Sequence, residues 1–194
     1  MLKYSKNRFA GCLAVLVIVL GTAASVQTPA VPEAVASEFA TRVQRYMAAH
    51  QDAMAASPAA ADRAAPEAVI ARRARLNERI RTARKDTKPG EILFPDLVAA
   101  ITPIFRSDRF SITGRQATAM GRETERPPDN VPVPQVNQEF PKEYGLVSPP
   151  ATILVQLPEL PDALEYRLIG PHLVLRDIDA NLIVDVAPNV LSAR

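Results

Sequence analysis

The sequence predicts an α+β protein, with N-terminal helices, a proline-rich connector and a C-terminal three-stranded antiparallel β-meander. Three observations predict it. Residues 164–186 break into three short apolar-rich runs at two turn signals. Apolar side chains recur at helical spacing between residues 33 and 85. Residues 127–161 hold nine of the chain's eighteen prolines.

The meander follows from alternation. Leu164, Tyr166 and Leu168 point one way, and Glu165 and Arg167 the other. Gly170-Pro171 is a two-residue turn, because glycine takes the positive φ of a type II′ loop. The register then sets Leu168 against Leu173, Arg167 against Val174, Tyr166 against Leu175 and Glu165 against Arg176. Ile178–Asn181 makes the second turn, with Asp177 facing Leu182, Leu175 facing Val184 and Leu173 facing Val186. Leu164, Tyr166, Leu168, Leu173, Leu175, Leu182, Val184 and Val186 form one apolar face. Glu165, Arg167, Arg176 and Asp185 share the other with Ile169, His172, Val174 and Ile183. An apolar face of this size needs a cover, and a helix supplies one.

Upstream, residues 1–25 read as a secretory signal peptide. Lys3, Lys6 and Arg8 precede an unbroken apolar run from Leu13 to Leu20, and Thr22-Ala23-Ala24 offers small residues for cleavage. The alternative is an uncleaved signal anchor, since residues 9–26 carry no charge. Phe9-Ala10-Gly11-Cys12 is not a lipoprotein box, because the apolar run follows the cysteine.

Residues 26–126 are mainly helical. A first helix over 33–56 carries Val35, Phe39, Val43, Tyr46, Met47, His50 and Met54, with His50 at a core edge. A second begins near Pro66 and runs to about Lys85, with Val69, Arg73, Leu76, Ile80 and Ala83 in one stripe. The arginines at 72, 73, 75, 79, 81 and 84 decorate its remainder. The two helices pair as an antiparallel hairpin or extend as a coil-like arm. A short helix starts near Pro95, Pro103 kinks or ends it, and Ile104-Phe105 pack nearby. Another helix is suggested over 115–122. Residues 127–161 form a stiff connector along the fold, closing with a short helix after Pro149-Pro150 that carries Ile153, Leu154 and Leu157. Residues 162–194 form the meander.

Composition narrows the function. At 194 residues this is one domain, or one domain with an extension. Three of the 23 basic side chains lie in the first 25 residues with no acid beside them, which leaves 20 against 21 acidic, a formal −1. Such a chain offers no electrostatic case for nucleic acid. Cys12 is the only cysteine, so the exported chain has no disulfide, cysteine nucleophile or thiolate metal site. His50 and His172 lie on different elements, and no acidic cluster has ligand spacing. Residues 177–181 alternate acids like the opening of a calcium loop, without its glycine and closing glutamate. No cofactor is expected. There is no Gly-x-Ser-x-Gly elbow. Glu165 and Asp185 sit on one sheet face with Arg167 and Arg176, which reads as ion pairing before catalysis.

A longer pattern carries a resemblance. It runs Pro149-Pro150, Ile153-Leu154, Leu157-Pro158, Leu160-Pro161, Leu164-Glu165-Tyr166-Arg167, Gly170, Leu173, Leu175, Asp177, Ala180 and Leu182-Ile183-Val184-Asp185. This resembles the C-terminal signature of a family of uncharacterised secreted bacterial proteins. Val136-Asn137 and Phe140-Pro141 fit the preceding segment of that family. The resemblance covers about the last third of the chain and implies export, but no activity. Tyr166-Arg167, Gly170, Leu173-x-Leu175 and Ile183-Val184-x-Val186 are also similar to the terminal hairpin of periplasmic nickel/cobalt-homeostasis proteins. A shared pattern of this kind does not transfer metal affinity.

Together these readings predict an exported, periplasmic or secreted cell-envelope protein that binds a partner without catalysis. A metal- or stress-response protein and a small hydrolase are the alternatives. Arg72, Arg73, Arg75 and Arg79 form the candidate interaction surface, facing an envelope protein or an anionic surface. Membrane attachment is expected only through the N-terminal segment, if that stays uncleaved.

Overall fold

The computed structural model describes residues 31–57, 65–106 and 131–191. The segment expected to be a signal peptide and the helix expected over 115–122 lie outside the described residues. The order is α1 (Glu33–Ala55), α2 (Pro66–Ala83), α3 (Pro95–Arg106), a 3-10 turn (Lys142–Tyr144), α4 (Ala151–Leu154), β1 (Leu164–Ile169), β2 (His172–Asp177) and β3 (Leu182–Ala187). The strands form one antiparallel sheet in the order β1-β2-β3, so the fold is α+β with a C-terminal meander.

Helix α1 buries Phe39, Val43, Tyr46, His50 and Ala53, a stripe at steps of three and four. Helix α2 starts on Pro66, where the missing N–H would have had no helical partner. It buries only Leu76 and Ile80. Residues 65–71 are all exposed, so Val69, expected in the buried stripe, lies open instead. The two helices form an antiparallel hairpin. At one end Arg72 Nε donates to the Ser57 carbonyl at 3.2 Å. At the other the Arg84 guanidinium lies 4.9 Å from the Tyr46 ring centre. The extended-arm alternative is thereby removed.

Pro103 does not end α3, which continues to Arg106. The proline leaves the Ala99 carbonyl without its helical donor, but both residues are exposed and water can serve that oxygen. Burial of Ile101, Ile104 and Phe105 on the opposite side holds the helix together.

The β1–β2 register matches the expected one throughout, from Leu168 against Leu173 to Glu165 against Arg176. In β2–β3 Asp177 faces Leu182 as expected, but Leu175 then faces Asp185 and Leu173 faces Ala187. Val184 is an extra residue opposite the Leu175/Arg176 step, a β-bulge. The bulge turns Asp185 toward the helices and Val186 away from them. Val186 belongs to a cluster with Phe140, Ile169, Val174 and Ile183, whereas Val184 and Ala187 join the helix-side core. The expected placement of Asp185 with Glu165 on the polar face, and of Val186 on the helix face, is corrected by one residue of register.

Both sheet faces are covered. Helices α1, α2 and α3 close one; the connector closes the other with Phe140, packed alongside Val131, Val136 and Tyr144. Leu173, Val174, Leu175, Ile183 and Val184 are fully buried, each contributing about 1.5–3 kcal/mol. The connector also guards the edges. Asn137 donates to the Ile183 carbonyl, Ile183 to Gln138 and Phe140 to Asn181 at 2.8–2.9 Å. On the β1 side Leu168 N–H donates to the Val147 carbonyl. Prolines at 132, 134 and 141 lack donors, so this segment caps the edge without becoming a fourth strand.

Gly170 adopts φ +55°, as its turn requires, and a Cβ there would meet Val131 at 2.7 Å. Gly170→Ala is expected to cost about 2–3 kcal/mol, from left-handed strain and overlap together. Urea unfolding checks this, and a Val131→Gly background should recover the overlap part.

Candidate functional site

The chemistry-bearing side chains gather in three places: a cluster between α1 and the second turn, an anchor around Asp185, and the outer surface of α2. The first holds Tyr46, His50, Asp177 and Asp179. Asp177 is fully buried at the end of β2. One carboxylate oxygen accepts the Ala180 amide at 2.8 Å, which helps to close the turn. The other accepts Tyr46 O–H at 2.6 Å and His50 Nδ1–H at 2.7 Å. His50 Nε2 faces the half-exposed Asp179 carboxylate at 3.6 Å. Helix α1 brings Tyr46 and His50 together because they are four residues apart on one face.

The hydrogen bond to Asp177 raises the His50 pKa from its ordinary 6.5, against the lowering effect of burial. Burial pushes Asp177 up, but bonds from His50, the Ala180 amide and Tyr46 outweigh it and hold the carboxyl below 3.8. Burial, followed by the Asp177 charge, raises the Tyr46 phenol. The stabilisation from His50 is complete below its unfolded pKa and is lost as pH rises through the raised folded value. That from Asp177 is present above its unfolded pKa and is lost as pH falls through the lowered folded value. Glu165 adds to the acid side: burial raises it, and bonds from Arg167 and Arg176 outweigh that to leave it lowered. Stability is therefore expected to peak between about pH 4 and 6.5 and to decline on both sides. Melting temperature across pH 3–10 checks this, and His50→Gln should flatten the alkaline limb.

A histidine held by a carboxylate could suggest a general base. The geometry is wrong for one. The ring is 4% exposed, one nitrogen is bonded to Asp177 and the other faces Asp179, so neither is presented to a substrate. The cluster fastens α1 to the sheet.

The second place centres on Asp185, also fully buried. Its carboxylate accepts backbone N–H groups of Gly90 at 2.8 Å, Ile92 at 2.6 Å and Leu93 at 2.8 Å. It pins the loop between α2 and α3 to the bulge. Beside it Arg84 donates to Asn137 at 3.2 Å, Glu91 at 3.2 Å and the Val184 carbonyl at 3.1 Å. Arg84 is thus a buried tie, not part of the solvent-facing arginine set expected of α2. Across the sheet Glu165 bonds both Arg167 and Arg176, and Arg176 also donates to Asn181 at 2.6 Å. The ion pairing expected for Glu165 is present. A paired-carboxylate site with Asp185 is ruled out, because the two residues occupy opposite faces.

Helix α2 supplies the third place. Arg73, Arg75 and Arg79 are exposed, and none is ion-paired with a described residue. Arg72 differs: it is half-buried and bonded to Ser57 and to the Met54 sulfur at 3.4 Å. Arg75 and Arg79 line a groove of about 590 Å³ between α1 and α2, floored by Ala49, Ala53, Thr82 and Ala83 and bordered by Asp52 and Glu78. Among the described residues no group of three or more His, Cys, Asp or Glu is placed to hold a metal ion, and no helix is long and apolar enough to cross a membrane.

No protein-family model, curated protein or solved structure matches the chain. The site must be read from its own geometry. Spacing does not reveal the link between His50 and Asp177, which are 127 residues apart. The one available signal was a histidine beside an apolar stripe, which needs a polar partner once buried.

Proposed function

We propose that this is an exported cell-envelope binding module that engages an anionic partner through α2 and carries out no catalysis. The observation that carries this reading is the trio Arg73, Arg75 and Arg79, exposed and forming no ion pair with a described residue. The other arginines between residues 72 and 84 have partners within the fold. Arg84 is buried, Arg72 ties α2 to α1, and Arg81 lies 3.9 Å from Glu78. Guanidinium groups presented in this way suit carboxylate or phosphate, which they can bind through paired N–H donors. The signal-like segment at residues 1–25 supports placement in the envelope. The buried positions of His50, Asp177 and Asp185 support binding over chemistry.

The test is capture from envelope extract on the exported protein and on Arg73→Glu/Arg75→Glu/Arg79→Glu. The reversal should lose most of the captured anionic material while its melting temperature stays within about 2 °C, because the three residues are exposed. Equal capture by both proteins, or turnover of a substrate panel by the wild type, would count against the proposal.

A further inference from the structure

We infer that the anionic partner of α2 is the headgroup layer of an acidic lipid bilayer, met by the first turns of the helix. This rests on the reading above and goes beyond attachment through the N-terminal segment. Val69 continues the stripe of Leu76 and Ile80, at steps of seven and four, but is 47% exposed; its neighbour Ile70 is 66% exposed. Within the described fold the stripe is therefore open at its N-terminal end. Arg73 is four residues from Val69 and three from Ile70, so one guanidinium stands with both aliphatic side chains. Arg72 ties this part of α2 to the end of α1 through Ser57 and Met54, which holds the tip in place.

Two β-branched apolar side chains beside an arginine match the layering of a membrane interface. The aliphatic groups reach below the headgroups and the guanidinium stays at the phosphates. The charge agrees: Arg73, Arg75 and Arg79 are exposed on α2, and cations near an acidic leaflet are attracted to it. An acidic protein would satisfy the arginines but would leave the bare Val69 and Ile70 unexplained.

The experiment is vesicle flotation of the exported protein, with wild type and variants sharing the same N-terminus so that differences report on α2. Vesicles of phosphatidylglycerol with phosphatidylcholine are compared with phosphatidylcholine alone. Wild type should bind the acidic vesicles at least about tenfold more tightly. Val69→Ser/Ile70→Ser should lose about tenfold of that binding with an unchanged melting temperature, and the triple arginine reversal should lose nearly all of it. Equal partition of wild type into both vesicles, or undiminished binding by the Val69/Ile70 variant, overturns the inference. If wild type ignores both vesicles while the arginine reversal still abolishes envelope capture, the lipid assignment falls and an acidic protein takes its place. If capture is also indifferent to the arginines, both readings fall.

Discussion

Asp177→Ala should lower the unfolding free energy by about 3–5 kcal/mol at pH 5.5, the range for removing one partner of a buried pair. Three donors lose their acceptor at once: Tyr46 O–H, His50 Nδ1–H and the Ala180 amide. A charged imidazole would be left deprived of its buried counter-ion, facing Asp179 at 3.6 Å. At pH 9 the penalty should shrink toward the roughly 1–3 kcal/mol of lost hydrogen bonding, because His50 can then be neutral. Asp177→Asn should fall between wild type and alanine, since its amide oxygen can still serve one donor. Urea unfolding at the two pH values checks both the size and the trend.

Asp185→Ala is expected to have a comparable effect, about 3–5 kcal/mol. It strands the Gly90, Ile92 and Leu93 amides, and an unsatisfied buried donor costs about 1–3 kcal/mol. Two of those amides, on Ile92 and Leu93, belong to residues that are 1% and 2% exposed, so water cannot replace the lost acceptor without opening the loop. For a chain of this length the melting temperature should fall by roughly 10 °C. Hydrogen exchange should accelerate first at residues 90–93. Asp185→Asn, an isosteric change that would only inactivate a hydrolase, should instead lower the melting temperature.

The particular residues show why some of this was legible in the sequence and some was not. The first hairpin could be read because Gly170-Pro171 fixes a two-residue loop, and the resulting Glu165–Arg176 pairing checks the register independently. The second hairpin could be read only up to its bulge. Val184, Val186 and Ala187 are all apolar, so a one-residue insertion leaves the hydrophobic pattern acceptable on either face. Asp185 was misplaced for the same reason. Its acceptors' partners are backbone amides more than 90 positions away, and backbone amides leave no trace in a sequence.

Helix positions were legible from spacing and from Pro66 and Pro95. What each helix covers depends on the length of its neighbours, so the exposure of Val69 and Ile70 could not be foreseen. Arg84 resembled its neighbours in composition, yet Tyr46, Asn137, Glu91 and Val184 converge on it only after folding. The proline content of residues 127–161 places the connector along the fold. Its cover of the second sheet face, centred on Phe140, gives those prolines a structural role. Polar groups at long sequence separation therefore carry most of what the sequence withheld, and most of them hold the fold together.

The most direct test of that claim is a double-mutant cycle of His50→Phe and Asp177→Asn, followed by urea unfolding at pH 5.5 and pH 9. A clasp that fastens α1 to the sheet predicts a coupling energy of about 1.5–3 kcal/mol at pH 5.5, shrinking at pH 9. Single variants that add within about 0.3 kcal/mol at both pH values would contradict it.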